Sequence, residues 1–353
     1  MPPVAGCGFE ADSGGFDMIK LGYKASAEQF GPNELLDYAV LAEKLGLDSV
    51  WISDHFQPWR HTGGHAPFSL AWLGALGART QRIVMGTSVL TPTFRYHPSV
   101  VAQAFATLGA MFPQRVVLGM GTGESLNEVP ATGLDWPEQK ERTARFREAL
   151  RLIRALWSDE RVSFEGEFYE TRLATLYDRP AKPVPLYVAG AGPFMAKLAG
   201  MEGDGFICTS GKKRELYTET LLPNVQAGLA AAGRGKDFAF ERMIEIKVSF
   251  DSDHDRAAGD THYWGALALK PEEREHIGDP KEMEKLADAL PVERTVSRWI
   301  VSSDADEVTE KIGAYVDLGF DHLVFHAPGP DQARFLTLFT ERVVPRLMKR
   351  HGV

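Results

Sequence analysis

Short β-rich runs separated by longer stretches of helical period recur along nearly the whole chain, and this alternation is its strongest constraint on fold. The strand candidates are Ile19–Gly22, Ser49–Ser53, Ile83–Thr87, Val116–Gly119, Leu186–Ala189, Phe206–Cys208, Glu245–Phe250 and His322–Phe325. Between them fall helix candidates at Pro32–Lys44, Pro67–Arg79, Pro98–Ala110, Glu138–Trp157, Glu215–Ala232 and Asp304–Leu318. Several open on Pro or carry an acid in the first turn, where a fixed φ and a negative charge both suit a helix start. A strand joined through a helix to the next strand must pair in parallel. Eight such strands predict an α/β fold of the (β/α)8 TIM-barrel type rather than an open doubly wound sheet, and 353 residues suit one large barrel.

Three stretches break the rhythm. Residues 1–17 are rich in Gly and acids and read as a tail, with the barrel domain running from 18 to 353. Arg161–Tyr169 alternates Val162, Phe164 and Phe168 around Glu165-Gly166, which predicts a small hairpin before the fifth strand. An insertion at about 251–297 carries helical period at Lys270–His276 and Pro280–Leu290; in a barrel, insertions of this kind sit over the C-terminal ends of the strands.

Composition narrows the function. A formal net charge of -9 argues against a general nucleic-acid binder, which gathers a basic face, so any anionic ligand needs a local cluster of Lys and Arg. No apolar run is long enough to span a bilayer, and the N-terminus lacks the basic start and apolar stretch of a secretory signal. Two cysteines, Cys7 and Cys208, make neither a disulfide framework nor a four-cysteine zinc site; the expectation is a cytoplasmic protein. His55, His61 and His65 have no convincing set of co-ligands, so no metal is expected.

In a parallel barrel the chemistry lies just after each strand, and the polar residues fall there. Strand two is followed by Ser53-Asp54-His55-Phe56-Gln57-Pro58-Trp59-Arg60, strand three by Ser88-Val89-Leu90-Thr91, and strand four by Gly121-Thr122-Gly123-Glu124 with Asn127. Strand five leads into Gly190-Ala191-Gly192-Pro193 and strand six into Thr209-Ser210-Gly211-Lys212-Lys213. Each has a bland reading. Asp54-His55 reads equally as a helix cap beside a satisfied histidine, Gly121-Thr122-Gly123 as a tight turn, and the Lys212 run as a solvated patch. A glycine-rich turn opening a helix suits a phosphate, because free N–H groups and the helix dipole both favour an anion. Their coincidence on one rim carries the argument.

These loops resemble the F420-dependent glucose-6-phosphate dehydrogenases, within the bacterial luciferase-like superfamily of barrels. The likeness rests on Leu21–Phe30, Ser53–His61, Gly86–Tyr96 and Asp204–Lys212, and extends from about Ile19 to the C-terminal helix. It implies coenzyme F420 as cofactor, a hexose 6-phosphate as substrate and a homodimer as the assembly. It implies that Asp54, Thr91, Thr122, Gly123 and Asn127 hold the deazaflavin, that Ser88-Val89 is a non-prolyl cis peptide against its ring, and that Ala191, Gly192, Phe194 and Met195 flank its phosphate-bearing tail. His55 and Glu124 match the proton-handling pair, and Trp59 an aromatic residue near the reacting carbons. Thr209, Lys212 and Arg298 match contacts to the sugar phosphate. Two positions depart from the pattern: Arg274 stands where a lysine is usual, and Ala191 where a glycine is usual.

Oxidising a lactol C1–OH to a lactone removes a hydride and a proton, and a neutral histidine is a suitable base near pH 7. The expectation is that His55 takes the proton and that Glu124, in surroundings of low dielectric, stays protonated as a donor, although the two roles are interchangeable on sequence alone. Lys212, Arg274 and Arg298 would anchor the phosphate. The alternatives are fructose or mannose 6-phosphate as substrate, which a planar guanidinium at 274 leaves open; another F420- or FMN-linked luciferase-like reaction, for instance on a lipid alcohol; and a barrel that only carries the cofactor.

Overall fold

The computed structural model describes residues 19–235, 237–274 and 277–351. The tail at 1–17, the domain start at Met18, Cys7 and the end of the helical stretch at Glu275-His276 lie outside the described residues.

Eight parallel strands close a barrel. They are β1 (Lys20–Ala25), β2 (Ser49–Ile52), β3 (Val84–Thr87), β4 (Val116–Met120), β5 (Leu186–Ala189), β6 (Gly205–Thr209), β7 (Glu241–Phe250) and β8 (His322–His326). Each pairs with the next in chain order, and β8 pairs back onto β1. Ser49–Ile52 is buried throughout, as expected for strands covered by helices outside and by side chains inside. Helices such as Pro32–Lys44 and Pro98–Met111 cross between the strands; both open on the Pro that the sequence placed at the first turn.

The inside of the barrel is layered. Trp51, Val117, Tyr187, Ile207, Met243 and Val324 form an apolar plug. Room for Trp51 comes from Gly86 on the neighbouring strand, where an added Cβ would lie 2.7 Å from the indole. Charged layers sit on both sides of the plug. Toward the N-terminal ends, Glu241 binds Lys20 and accepts from His322. Toward the C-terminal ends, Glu245 faces Lys24, Lys247 and His326.

Three sequence expectations need correction. The hairpin is built from Val162–Glu165 and Glu170–Ala174, so its turn falls at 166–169 and the second strand extends past Tyr169; the Glu148 carboxylate accepts from the turn N–H groups of Glu167, Phe168 and Tyr169 and sets that position. The helix expected over Glu215–Ala232 begins as a π-turn at Leu216–Leu221 before continuing as Leu222–Ala231, a wider start that accommodates Pro223. A further strand, Ile300–Ser302, pairs in parallel with the second half of β7, and its three residues were too short to stand out as a run.

The insertion between β7 and that extra strand folds into short helices, including Thr261–Ala268, Pro271–Arg274 and Pro280–Asp288. It has its own apolar cluster, in which Trp264, Leu269, Ile277 and Met283 pack with Trp59, Leu126 and Trp299 from the barrel loops. No described helix is long and apolar enough to cross a membrane.

Candidate active site

At the C-terminal rim of the barrel, beneath the insertion, lies a cavity of about 1060 Å³. Small-molecule sites run to about 1,000 Å³, so this one has room for two ligands side by side. Its wall includes every residue that the resemblance assigns to cofactor, substrate or proton handling: His55, Trp59 and Glu124; Asp54, Ser88, Val89, Thr91, Thr122, Gly123, Asn127, Ala191, Gly192, Phe194 and Met195; and Thr209, Lys212, Arg274 and Arg298.

One end of the cavity is built for proton handling. His55 Nε2 lies 3.3 Å from Glu28 Oε1, while Nδ1 lies 3.1 Å from the Gln57 carbonyl and 3.3 Å from the Asn127 amide. The Gln57 carbonyl favours a proton on Nδ1, whereas the Asn127 amide N–H and the Glu28 carboxylate favour one on Nε2; with acceptors beside both nitrogens, the ring is well placed to be held as an imidazolium. Glu28 is buried, which acts to raise its carboxyl, yet His55, Lys24 and the Ser53 hydroxyl together hold it below its usual value. Trp59 packs against the imidazole with ring centres 5.7 Å apart.

The loop carrying His55 is held by a separate network. Arg95 donates to the Asp54 carboxylate at 2.8 Å and to Glu128 at 3.1 Å, and Asp54 also accepts from the hydroxyls of Ser69 at 2.6 Å and Tyr96 at 3.0 Å. Asn127 Oδ1 accepts from the backbone N–H of Phe56 at 2.9 Å. Asp54 and Asn127 therefore face the cavity with much of their hydrogen-bonding capacity already spent on positioning His55.

Glu124 corrects an expectation. It is exposed, at the N-cap of Ser125–Thr132, with no side-chain capping bond. The chain itself provides no low-dielectric pocket there; only a ligand lying against it would exclude water.

The opposite wall suits a flat ring with an anionic tail. The Ser88–Val89 peptide is cis, and Lys24 Nζ donates to the Ser88 carbonyl. Gly121 and Gly123 clear the space in front of Val89 and Thr91: an added Cβ would sit 2.8 Å from Val89 Cγ2 or from Thr91 Cγ2, and Gly123 holds a φ of +85°. Gly192 caps the helix Pro193–Glu202 with no side-chain bond to its first turn and with open space around its Cα, which leaves those N–H groups to a phosphate. These features fit a deazaflavin and its phosphate-bearing tail.

The third wall is cationic. Arg274 lies over the Trp59 ring at 5.1 Å, and Arg298 Nη1 donates to the Gly211 carbonyl at 3.0 Å while its buried Nε has no partner. Among the described residues neither Arg274 nor Arg298 forms an ion pair, and the neighbouring Glu273 pairs with Arg294 instead. Burial, then the neighbouring Arg298, Lys247 and Arg274, pull the Lys212 ammonium down to about 8. Cations crowded together without carboxylates are arranged for an anionic ligand.

Sequence reasoning missed Glu28, Arg95, Glu245, Lys247 and His326. Glu28 sits in the loop after β1, and the sequence signals were drawn only from the loops after strands two to six. Lys24, Glu245, Lys247 and His326 had a weaker signal, charged residues spaced by two on barrel strands, which places them on the inner face.

Comparisons with known proteins agree with this geometry. The family model described as luciferase-like monooxygenase matches residues 12–322. A protein of Nakamurella multipartita named F420-dependent glucose-6-phosphate dehydrogenase is 64% identical over 329 residues, covering 93% of this chain and 96% of its own. A protein of the same name from Mycolicibacterium smegmatis is 60% identical over 333 residues, covering 94% and 98%. Among solved structures, an F420-dependent secondary alcohol dehydrogenase in complex with an F420-acetone adduct matches with a TM-score of 0.88 and 34% identity, over 94% of this chain and 99% of that one. The coenzyme F420-dependent tetrahydromethanopterin reductase of Methanopyrus kandleri, with a TM-score of 0.77 at 21% identity over 94% and 99%, shares the fold.

Proposed function

The chain belongs to the luciferase-like monooxygenase family, and from that premise we propose that it is an F420-dependent dehydrogenase that oxidises glucose 6-phosphate at C1 to the 6-phospho-lactone. The observation that carries this reading is a cation cluster without acids in the same cavity as a buried Glu–His pair. A phosphate anchor and a base are what a sugar phosphate oxidation requires, and neither a lipid alcohol nor a cofactor carrier would use both. Relatives of this identity favour glucose 6-phosphate over its fructose and mannose counterparts.

Bound F420 supplies a deazaflavin able to accept a hydride. Asp54, Ser88, Val89, Thr91, Thr122, Gly123 and Asn127 would hold its ring, and Ala191, Gly192, Phe194 and Met195 its tail. His55 takes the C1 hydroxyl proton, and the ionised Glu28 stabilises the imidazolium that results. Glu124, at the rim, would donate the proton that a reduced deazaflavin takes up, balancing the one released to His55. Trp59, flanked by His55 and Arg274, walls the sugar and keeps water from the reacting carbon. Thr209, Lys212, Arg274 and Arg298 bind the phosphate; contacts this far from C1 help to orient it, so losing one lowers turnover as well as affinity.

The finer expectations belong to the same proposal: a single domain from 18 to 353 behind a 1–17 tail, a homodimer and a cytoplasmic setting. The decisive assay mixes protein with oxidised F420 and a panel of hexose 6-phosphates and follows loss of the cofactor's visible absorbance. Bleaching with glucose 6-phosphate but not with free glucose is expected. Tight F420 binding with no bleaching by any phosphosugar would refute the assignment. His55→Ala should cut turnover far more than F420 affinity; unchanged turnover would remove His55 as base.

A further inference from the structure

Lys247 is a buried lysine whose partner among the described residues is a long ion pair with Glu245. Its side chain is 5% exposed, yet it lines the cavity. Its nearest carboxylate oxygen, Glu245 Oε1, is 3.7 Å away, beyond hydrogen-bond length. Glu245 is committed elsewhere, with Oε2 3.2 Å from Lys24 and Oε1 3.3 Å from His326 Nδ1. An ammonium has three donors, and one long, shared ion pair leaves most of that capacity unused in a buried site, which is costly.

Strand order says what those donors face. Lys247 points inward from β7, in the layer just above Glu245. On one side of β7 is β6, which leads through Thr209 to Lys212; on the other is β8, whose His326 pairs in register with Lys247. Ile300–Ser302, which follows Arg298, pairs with β7 from Val248 onward. Arg298 reaches across to the Gly211 carbonyl, and the Lys247 backbone N–H donates to Ser210 Oγ at 2.8 Å, so the three elements are tied together at this height. Lys247 is more deeply buried than Lys212 or Arg298, and it is near enough to both for their charges to act on one another. Burial first, with Arg298 and Lys24 adding to it, draws its ammonium below the usual value, while Glu245 opposes them; a bound anion would restore it.

We propose that Lys247 is a fourth cation of the substrate-phosphate pocket, binding the inward-facing phosphate oxygen from within the barrel and setting how deep the hexose sits. The proposal deepens the functional reading above and rests on it. Lys212, Arg274 and Arg298 hold the phosphate from the rim, and Lys247 opposes them from the floor, so all three terminal oxygens meet a charged donor.

The test compares wild-type protein with Lys247→Met, which keeps the length and removes the charge, and with Lys247→Arg, which keeps the charge. Inorganic phosphate serves as a competitive inhibitor, and F420 affinity is followed by its fluorescence. K247M should raise both KM for glucose 6-phosphate and the inhibition constant of phosphate by about 10- to 100-fold, the range for a charge-assisted hydrogen bond. F420 affinity should stay within twofold, and K247R should recover part of the phosphate affinity. If KM and phosphate inhibition both stay within twofold of wild type, Lys247 only balances Glu245 and the proposal fails. A loss of F420 affinity without change in phosphate inhibition also overturns it. Should K247M not fold, Lys247→Gln answers the same question. Failure of the wild-type protein to oxidise glucose 6-phosphate would count against the functional reading instead, and calorimetric titration of phosphate into wild type and K247M would still decide the role of Lys247.

Discussion

Arg298 offers a sharp separation of stability from function. In Arg298→Met the protein loses the hydrogen bond to the Gly211 carbonyl, worth about 0.5–1.5 kcal/mol. It also loses a buried Nε–H that has no acceptor, whose burial costs about 1–3 kcal/mol, and the repulsion between Arg298 and its neighbour Arg274. The unliganded variant should therefore be as stable as wild type or more so, by up to about 2 kcal/mol, a rise of a few degrees in Tm. Substrate binding should move the other way. Removing a charge-assisted contact to phosphate costs about 1.5–3 kcal/mol, or roughly 10- to 150-fold in kcat/KM. The assay is thermal unfolding with and without glucose 6-phosphate, alongside kinetics read from F420 absorbance. The stabilisation conferred by substrate should shrink in the variant, because that shift depends on affinity. A variant that unfolds several degrees lower, or one with kcat/KM within threefold of wild type, would show that Arg298 is a structural residue and not an anchor.

Three further outcomes follow from the geometry. Burial acts to raise Glu241, but His322 and Lys20 hold it at about 2 against an ordinary 4.5, so its contribution is complete above pH 4.5 and lost as pH falls toward 2. Glu241→Gln should cost about 3 kcal/mol in neutral chemical denaturation, with the gap to wild type closing across that window. With Lys212 at about 8, its ammonium is lost as pH rises through that value, so KM for glucose 6-phosphate should climb by about tenfold per pH unit beyond it at most; Lys212→Arg should flatten the rise. Gly123→Ala, at a φ of +85° and with Thr91 Cγ2 2.8 Å from the new methyl, should cost about 1–3 kcal/mol and weaken F420 binding by about tenfold or more, as read by fluorescence titration.

What was readable in the sequence and what was not divides along physical lines. The eight barrel strands could be found because burial on both faces makes β-rich runs such as Ser49–Ile52, and their crossover helices are long enough to show a period. Rim residues could be found because barrel chemistry follows strand ends. Ile300–Ser302 was missed because a three-residue strand has no pattern of its own; it exists because the long β7 offers an unpaired edge past its barrel half. Glu124 was expected in a desolvated site, but exposure depends on how Ser125–Thr132 sits at the rim, which no local signal encodes. Lys24 and Glu245 lie 221 positions apart in the chain and meet only when β8 closes the barrel between β1 and β7. Partners of this kind, like Glu28 with His55, come from closure and not from spacing.

The same closure explains how a chain of net charge -9 can hold a sugar phosphate. Long-range repulsion from surface acids is screened over about 10 Å at ordinary ionic strength, whereas charges inside the cavity are screened much less. What matters is the local sign, and the barrel separates it. Acids inside the barrel are placed where the neighbouring base is to be held: Glu28 beside His55, and Glu245 between Lys24 and His326. Among the described residues Lys212, Arg274 and Arg298 have no acid paired with them, on the segments that converge at the end of β6 and the insertion. Placing a carboxylate among those cations would relieve their repulsion and stabilise the free protein, and it would also compete with the substrate. Introducing one at Thr209, as Thr209→Glu, should therefore raise Tm by a few degrees and bring Lys212 back toward its ordinary value, while abolishing inhibition by inorganic phosphate. A variant that still bound phosphate as wild type does would mean the anion sits elsewhere in the cavity.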